Sequence, residues 1–507
     1  MASQNALCFS TLGIITALKL LLFPAYHSTD FEVHRNWLAI TGSLPLDQWY
    51  ISEKSEWTLD YPPLFAWLEF LLAKIAAFVD PKMLEVSKEP YETTETIYFQ
   101  RFSVIILDGA LILAAHKASR QLKKGNEILL FALVVGNVGL ILVDHVHFQY
   151  NGVLIGLLMW SVLLVEDGRY ILGGVLFAVL INMKHLFVYA APLYFVYLLR
   201  AHCWGPGCLW NFTKLGASVT AIFALSFGPF LWLGQIKQVM SRLFPFGRGL
   251  CHAYWAPNAW ALYASLDKGL VVLFGMMEVP VRSESNTAGG LVGAGRFSVL
   301  PQIAPSVSLC LVFLAMLPAV TLLWRKPFPR FFLETIAYAF MCGFVWGYHV
   351  HEKAILTVLI PVTFAAFRPS IFSSLRNDLL HFSTVAHYSL LPLFFGAQEY
   401  PIKLCLVVIY CMLVHVSMNQ DSRTGNDGWL GKWACRVQNF HLWGLILVEV
   451  YCSLLHRLLF DEALPFVPLM LTSFYCGVGV LWHWGKWGLN ILHEISVDET
   501  REKDKKR

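Results

Sequence analysis

Long apolar stretches recur from one end of this 507-residue chain to the other, and nothing else in it constrains the fold as much. Inside a bilayer no water is at hand for a backbone N–H or C=O. A spanning segment must satisfy both internally, as a helix or within a closed barrel. A crossing helix needs about 20 predominantly apolar residues. Segments of that kind lie at 6–26, 99–115, 128–143, 152–165, 170–184, 186–200, 215–233, 299–323, 331–348, 354–368, 378–396, 402–418, 440–456 and 465–484. The expected fold is an all-α polytopic membrane protein with about fourteen transmembrane helices. Charged residues make up 14% of the chain, against roughly a quarter in soluble domains. A net charge of +4 gives no argument for a nucleic-acid partner. The 11 cysteines are scattered without CxxC spacing, so neither a disulfide framework nor a zinc site is expected. The first apolar run ends without a clean small-residue cleavage site and reads as a retained anchor.

Orientation follows from Lys and Arg. Basic clusters stand at His116–Lys124, Arg325–Arg330, Arg423–Arg436 and Arg501–Arg507. All four fall on one side, taken as cytosolic, if 62–79 lies on the surface instead of crossing. Pro62 and Pro63 suit a first helical turn, and Glu69 and Lys74 interrupt the apolar face. A crossing at 62–79 would invert everything downstream. In the surface reading the chain is one integral membrane domain. It has a luminal catalytic loop with juxtamembrane helices at 27–98, a long luminal loop at 234–298 and a cytosolic tail at 485–507. Val281–Gly295, rich in Gly, Ser and Asn, reads as a flexible loop. The Asn211-Phe-Thr sequon falls on the cytosolic side, where it is expected to stay unmodified.

Four polar clusters fall on the opposite face. The first holds Asp30, Glu32, His34 and Arg35, followed by Asp60 and Tyr61. Thr29-Asp-Phe-Glu32 matches a capping box with Thr29 as N-cap, so Asp30 reads either as an acid in a first helical turn or as a base. His34 lies on the same helical face. Asp60 reads equally as a turn residue ahead of a proline pair. The second cluster sets Asp144, His145, His147, Gln149, Tyr150 and Asn151 between two apolar helices. Histidines at i,i+2 are a weak metal signal, so a hydrogen-bonded plug that binds a sugar or lipid head is expected. The third is His349, His351, Glu352 and Lys353, four ionisable groups at a membrane boundary. The fourth, Arg242–Asn258, offers Arg248, His252, Tyr254 and Trp255: an arginine for phosphate and aromatic rings for sugar faces, or else an interfacial belt. No GxxxxGK[ST] or GxGxxG is present, which argues against a nucleotide donor.

In order, Asp-Phe-Glu-Val-His-Arg-Asn-Trp, Leu-Asp-Tyr-Pro-Pro, Asp-His-Val-His-Phe-Gln-Tyr-Asn, Arg-Leu-Phe-Pro-Phe-Gly-Arg-Gly and Val-His-Glu-Lys run along most of the chain. This series resembles the dolichyl-phosphate-glucose-dependent α-1,3-glucosyltransferases of the endoplasmic reticulum, which have the GT-C fold. Within that family, His27-Ser-Thr-Asp30, Trp57-Thr-Leu-Asp60 and Gly249–Tyr263 are similar to the branch that adds the second glucose. The branch adding the first glucose stays open as the alternative. The resemblance implies a dolichyl phosphate glucose donor, a dolichyl-diphosphate oligosaccharide acceptor, a luminal site, no metal and no cofactor. It puts Asp30 in the position of the base, and the other residues of the four clusters are expected to bind substrate. Lys503 and Lys505 look like a dibasic retrieval signal. A transporter or flippase of lipid-linked sugar is the reading from another class. It fits less well, because the polar clusters lie at one face and not at the midplane.

Overall fold

A computed structural model describes residues 2–123, 125–244, 249–252, 254–277, 297–372, 375–394, 396, 398–419, 429–461 and 463–506. Arg248, the Val281–Gly295 stretch and the first part of the Arg423–Arg436 basic cluster lie outside the described residues, as do the side chains of the C-terminal lysines. The described residues are helical, with no strand among them; one isolated parallel bridge joins Cys251 and Val350.

Among the described residues, eight helical segments are long and apolar enough to cross a membrane: Thr94–Ser119, Asn126–Phe148, His185–Cys203, Cys208–Trp232, Ala259–Met276, Pro305–Arg325, Tyr400–Ser417 and Gly431–Phe460. Three shorter apolar helices lie at Ala6–Leu21, Asn151–Glu166 and Tyr170–Met183. The expected spans at 331–348, 354–368, 378–396 and 465–484 are not in either set. Their helices are shorter or carry Glu334, Asp378, His381, His483 and Lys486 on faces packed within protein. A helix of 10 residues, such as Leu356–Ala365, is about 15 Å long, half the hydrocarbon thickness. The expected 234–298 loop contains Ala259–Met276, one of the eight. Cys208–Trp232 is only 11% buried; Leu225, Leu231 and Trp232 stand out from it, as a lipid-facing helix requires.

The chain divides into two compact units. The first comprises Met1–Pro245, Lys326–Leu333 and Phe394–Lys403. Its helices are α1 (Ala2–Leu21), α2 (Thr29–Ser43), α3 (Pro63–Val79), α4 (Thr94–Leu107), α5 (Gly109–Ser119), α6 (Asn126–Val135), α7 (Asn151–Glu166), α8 (Tyr170–Met183), α9 (Ala191–Leu198), α10 (Cys208–Trp232) and α11 (Ile236–Leu243). A π-helical segment, Ile141–Phe148, precedes α7. α3 begins on the proline pair, which costs it no helical hydrogen bond, and exposes Leu71, Ile75 and Phe78 along one side. α5 and α7 pack tightly enough that a Cβ at Gly156 would overlap the backbone of Ala110 and Leu111. Buried charge ties the elements together. Lys19 of α1 donates to Asp108 Oδ2 at 2.6 Å, between α4 and α5, and His145 donates to the same oxygen at 2.8 Å. Arg101 of α4 donates to the carbonyls of Ala25, Tyr26 and His145.

The second unit comprises Phe246–Arg325, Glu334–Leu393 and Leu404–Arg507. Here α12 (Ala259–Met276) is capped by the Asn258 side chain. On α12 the buried Asp267 accepts backbone N–H groups of Ser298, Val299 and Leu300 at 2.8–3.0 Å. Three further helices, α13 (Leu375–Tyr388), α14 (Trp429–Val450) and α15 (Val467–Lys506), share a two-layer polar seam. In one layer Asp378 Oδ1 accepts from Gln438 at 2.8 Å and from Lys486 at 2.7 Å. In the other, His381 bonds His483 at 2.8 Å and His441 at 3.1 Å, and His441 reaches the Tyr475 carbonyl. A carbonyl only accepts, so His441 Nε2 donates there, His381 Nε2 donates to His441, and His483 Nε2 donates to His381. Each helix contributes one residue per layer, three positions apart, which fixes their mutual register. Removing one partner of a buried pair costs about 3–5 kcal/mol, whereas apolar replacement of both is close to neutral. Asp378→Leu should therefore lower the melting temperature in detergent, and Asp378→Leu/Lys486→Met should recover most of the loss; differential scanning fluorimetry reads both.

Candidate active site

In the first unit the site is built from the start of α2 outward. Ser28 has extended backbone and its hydroxyl accepts the Asp30 N–H, so Ser28 is the N-cap and the expected Thr29 capping box does not form. The reason is a second task for Ser28. Its N–H and its hydroxyl both donate to the carbonyl of His147, at 3.0 and 2.7 Å. Thr29 is thereby already helical, and Glu32 lies one position too late to reach back. Glu32 instead accepts from Arg35 and from the Tyr91 N–H.

The cap aims Asp30 at the segment after the π-helix. Asp30 is 24% exposed. Its Oδ2 accepts from Gln149 Nε2 at 2.7 Å and lies 3.4 Å from His147 Nε2. Behind Gln149 stands Asn151, which donates to Gln149 Oε1 at 2.9 Å and to Asp144 Oδ1 at 2.8 Å. The other Asp144 oxygen accepts the Gly152 N–H at 2.6 Å. A Cβ at Gly152 would overlap Asp108 Oδ1 and come within 3.5 Å of Asp144 Oδ2. The polar plug expected at 144–151 is thus a connected network in contact with Asp30. Its non-helical backbone shows at Phe148, whose φ is +85°, a left-handed conformation uncommon outside glycine.

Asp60 and Tyr61 flank the same cluster, both half-buried. Burial first, and then the charges of Asp60, Asp30, Asp144 and Glu69, push the Tyr61 phenol well up. Tyr61 therefore stays a neutral hydroxyl. Lys184, at the end of α8, is part of the same cluster: its ammonium donates to Asn151 Oδ1 at 3.1 Å and lies 5.1 Å from the Tyr61 ring. Lys184, like Lys19, Arg101 and Asp108, lies outside the polar motifs of the sequence. The available signal was a lone ionisable residue in an apolar stretch.

The remaining α2 groups turn into the protein. His34 bonds Glu69 at 2.8 Å, both buried, and its ring sits among Trp37, Phe65 and Tyr150. Burial raises the Glu69 carboxyl and His34 partly offsets it. Arg35, fully buried, donates to Glu32 and to the carbonyls of Met83 and Glu85. The face expected to be shared by Asp30 and His34 therefore splits in two, with Asp30 toward Gln149 and His34 toward Glu69.

The second unit gathers His252, Tyr254, Trp255, His349, His351, Glu352 and Lys353. The His349 N–H donates to Leu250 O at 2.9 Å and its Nδ1 donates to Gly249 O at 3.0 Å. These bonds hold it at φ +53°. The His252 and His351 ring centroids lie 3.8 Å apart with the rings tilted by 36°, and His252 Nδ1 lies 3.8 Å from Glu352 Oε2. Ligand atoms of His252, His351 and Glu352 lie within 4.8 Å of one another, a donor set that one borderline cation could share. Protonated, the same imidazoles are cations suited to an anion. Tyr254, Trp255, Glu352, Ser389, Leu469 and Ser473 line a small recess, and Ser473 fixes the Trp255 backbone through a 2.7 Å bond.

Comparison with known proteins gives the family. Residues 15–487 match the model of the ALG6, ALG8 glycosyltransferase family. The chain is 46% identical to the dolichyl pyrophosphate Glc1Man9GlcNAc2 alpha-1,3-glucosyltransferase of Arabidopsis thaliana, over 95% of this chain and 97% of that protein. It is 42% identical to the protein of the same name from Bos taurus, over 97% of each. Dictyostelium discoideum has a further relative of that name at 35% identity, over 92% of this chain and 91% of that protein. The match extends through the Asp30, Gln149 and His351 segments alike, and the chain belongs to the ALG6, ALG8 glycosyltransferase family.

Proposed function

We propose that this protein is the α-1,3-glucosyltransferase that adds the second glucose to the lipid-linked N-glycan precursor, and that it works by inversion. Glucose is taken from dolichyl phosphate β-D-glucose and passed to Glc1Man9GlcNAc2-PP-dolichol. The activity and acceptor are those printed in the names of relatives that align over nearly its whole length. The observation that carries the mechanism is the partly exposed Asp30 carboxylate, held at one oxygen by Gln149 and beside His147. An acceptor hydroxyl attacks the anomeric carbon from the face opposite the phosphate. Its proton passes to Asp30, the new C–O bond forms, and the sugar–phosphate C–O bond breaks with its electrons leaving on phosphate. One displacement turns the β-linked donor into an α product. No second carboxylate is needed as nucleophile. In the second unit, His349, His351 and Lys353, together with Arg248, are proposed to take the phosphate charge. Tyr254, Trp255 and His252 are proposed to read the terminal sugar of the acceptor. Placement of these groups in the lumen of the endoplasmic reticulum, with a cytosolic C-terminus, is supported by the Lys/Arg distribution.

Asp30→Asn keeps the shape and loses the base. Turnover should fall by about 10²–10⁴ while the protein elutes as a folded species; Asp60→Asn should be milder. Wild-type turnover in Asp30→Asn would move the base elsewhere. Alanine at the phosphate-binding residues among His349, His351, Lys353 and Arg248 should lower kcat by about 100-fold each. Normal turnover in all four variants would put the phosphate site elsewhere. With purified protein, monoglucosylated acceptor should be preferred over unglucosylated acceptor by about 10⁴, read as product mass; the reverse preference would make this a first-glucose enzyme.

A further inference from the structure

We propose that Lys184 is a positioning residue. Acting with Asp144, it forces a single orientation on the Asn151 and Gln149 side-chain amides, so that an N–H and not a C=O faces Asp30. The inference rests on Asp30 being the base.

Hydrogen-bond polarity sets the orientation. A side-chain amide has a donor end and an acceptor end of nearly equal shape, and only its partners decide which way it points. An ammonium has donors only, so the Asn151 atom 3.1 Å from Lys184 Nζ must be Oδ1. A carboxylate only accepts, so the Asn151 atom 2.8 Å from Asp144 Oδ1 must be Nδ2. Asn151 is thus fixed from both ends. Its Nδ2 also lies 2.9 Å from Gln149, whose atom there must be Oε1. That leaves Gln149 Nε2 as the atom 2.7 Å from Asp30 Oδ2. The polarity runs one way from Lys184 through two amides to Asp30. A donor facing the carboxylate favours its charged form; a carbonyl in the same place would disfavour it.

Other groups face Asp30: His147, with Asp144 on the same π-helical segment, and Asp60 and Tyr61 from the loop before α3. On its own helix, Glu32 and His34 face Arg35 and Glu69 instead. Among these, Asp144 together with Lys184 acts on Asp30 through the amides, and that linkage separates their effect from direct contact.

The test is the pH dependence of kcat/KM in the purified full-length protein, with dolichyl phosphate glucose and monoglucosylated acceptor. In Lys184→Met/Asp144→Asn both ends of the relay lose their fixed polarity, and the acid limb should move to higher pH by about one unit. Lys184→Arg, again a pure donor, should keep the limb at its wild-type position. A merely structural lysine would lower the rate at every pH and leave the limb where it was. An unmoved limb in the double variant, with Asp30→Asn inactive, overturns this proposal alone. Full activity in Asp30→Asn overturns the assignment of the base and this proposal with it. Should the double variant not elute as a folded species, Lys184→Gln carries the same test, since glutamine can donate or accept and frees the orientation of Asn151; an unmoved limb there is equally decisive.

Discussion

One backbone carbonyl organises the first unit's site. His147 O accepts both the N–H and the hydroxyl of Ser28, which brings the start of α2 against the segment that carries Gln149 and Asn151. These residues are 119 positions apart in the chain, and local propensity has no means of joining them. Arg101 holds the neighbouring His145 carbonyl and the chain at Ala25 and Tyr26, so the two strips of backbone that meet at Ser28 are gripped by one guanidinium. The cost of burying that cation is offset by carbonyl acceptors at both of its terminal nitrogens. The arrangement gives Asp30 fixed surroundings on one side and solvent access on the other, as a proton acceptor needs.

Short contiguous motifs made the site legible in the sequence. Asp30, Gln149, Asn151, His252, His351 and Glu352 were all singled out from polar runs that interrupt apolar segments. Placement within the fold was less legible. Asp30 and His34 share a helical face by spacing, yet Asp30 turns to Gln149 and His34 to Glu69, because a partly exposed acid and a buried imidazole find different partners across one stripe. The capping box failed because Thr29-Asp-Phe-Glu describes only local bonds, while Ser28 was recruited by a carbonyl far along the chain. Lys184 and Asp108 belong to no polar motif of the sequence, and their meaning lies in what the fold brings to them.

Hydropathy read the class correctly. Segments such as Leu356–Ala365 and α13 are shorter than a full apolar span, and their residues are buried within protein. The seam of Asp378, His381, Gln438, His441, His483 and Lys486 shows why a residue count misleads: these groups lower the apolarity of α13 and α15 while locking both to α14. A window of mean hydropathy responds to the composition of such a helix and not to what covers it.

Gly152 sits where two such networks nearly touch. Its N–H is held by Asp144, which belongs to the relay ending at Asp30, and the space a side chain would fill is taken by Asp108, which ties α1 to the His145 segment. One residue serves both carboxylates, giving a backbone N–H to Asp144 and leaving room for Asp108 by lacking a Cβ. Every missense change in this codon adds one. Any side chain at Gly152 must therefore displace the Asp108 carboxylate or the backbone, although glycine itself has no side chain to carry chemistry and would pass unremarked among charged or nucleophilic groups.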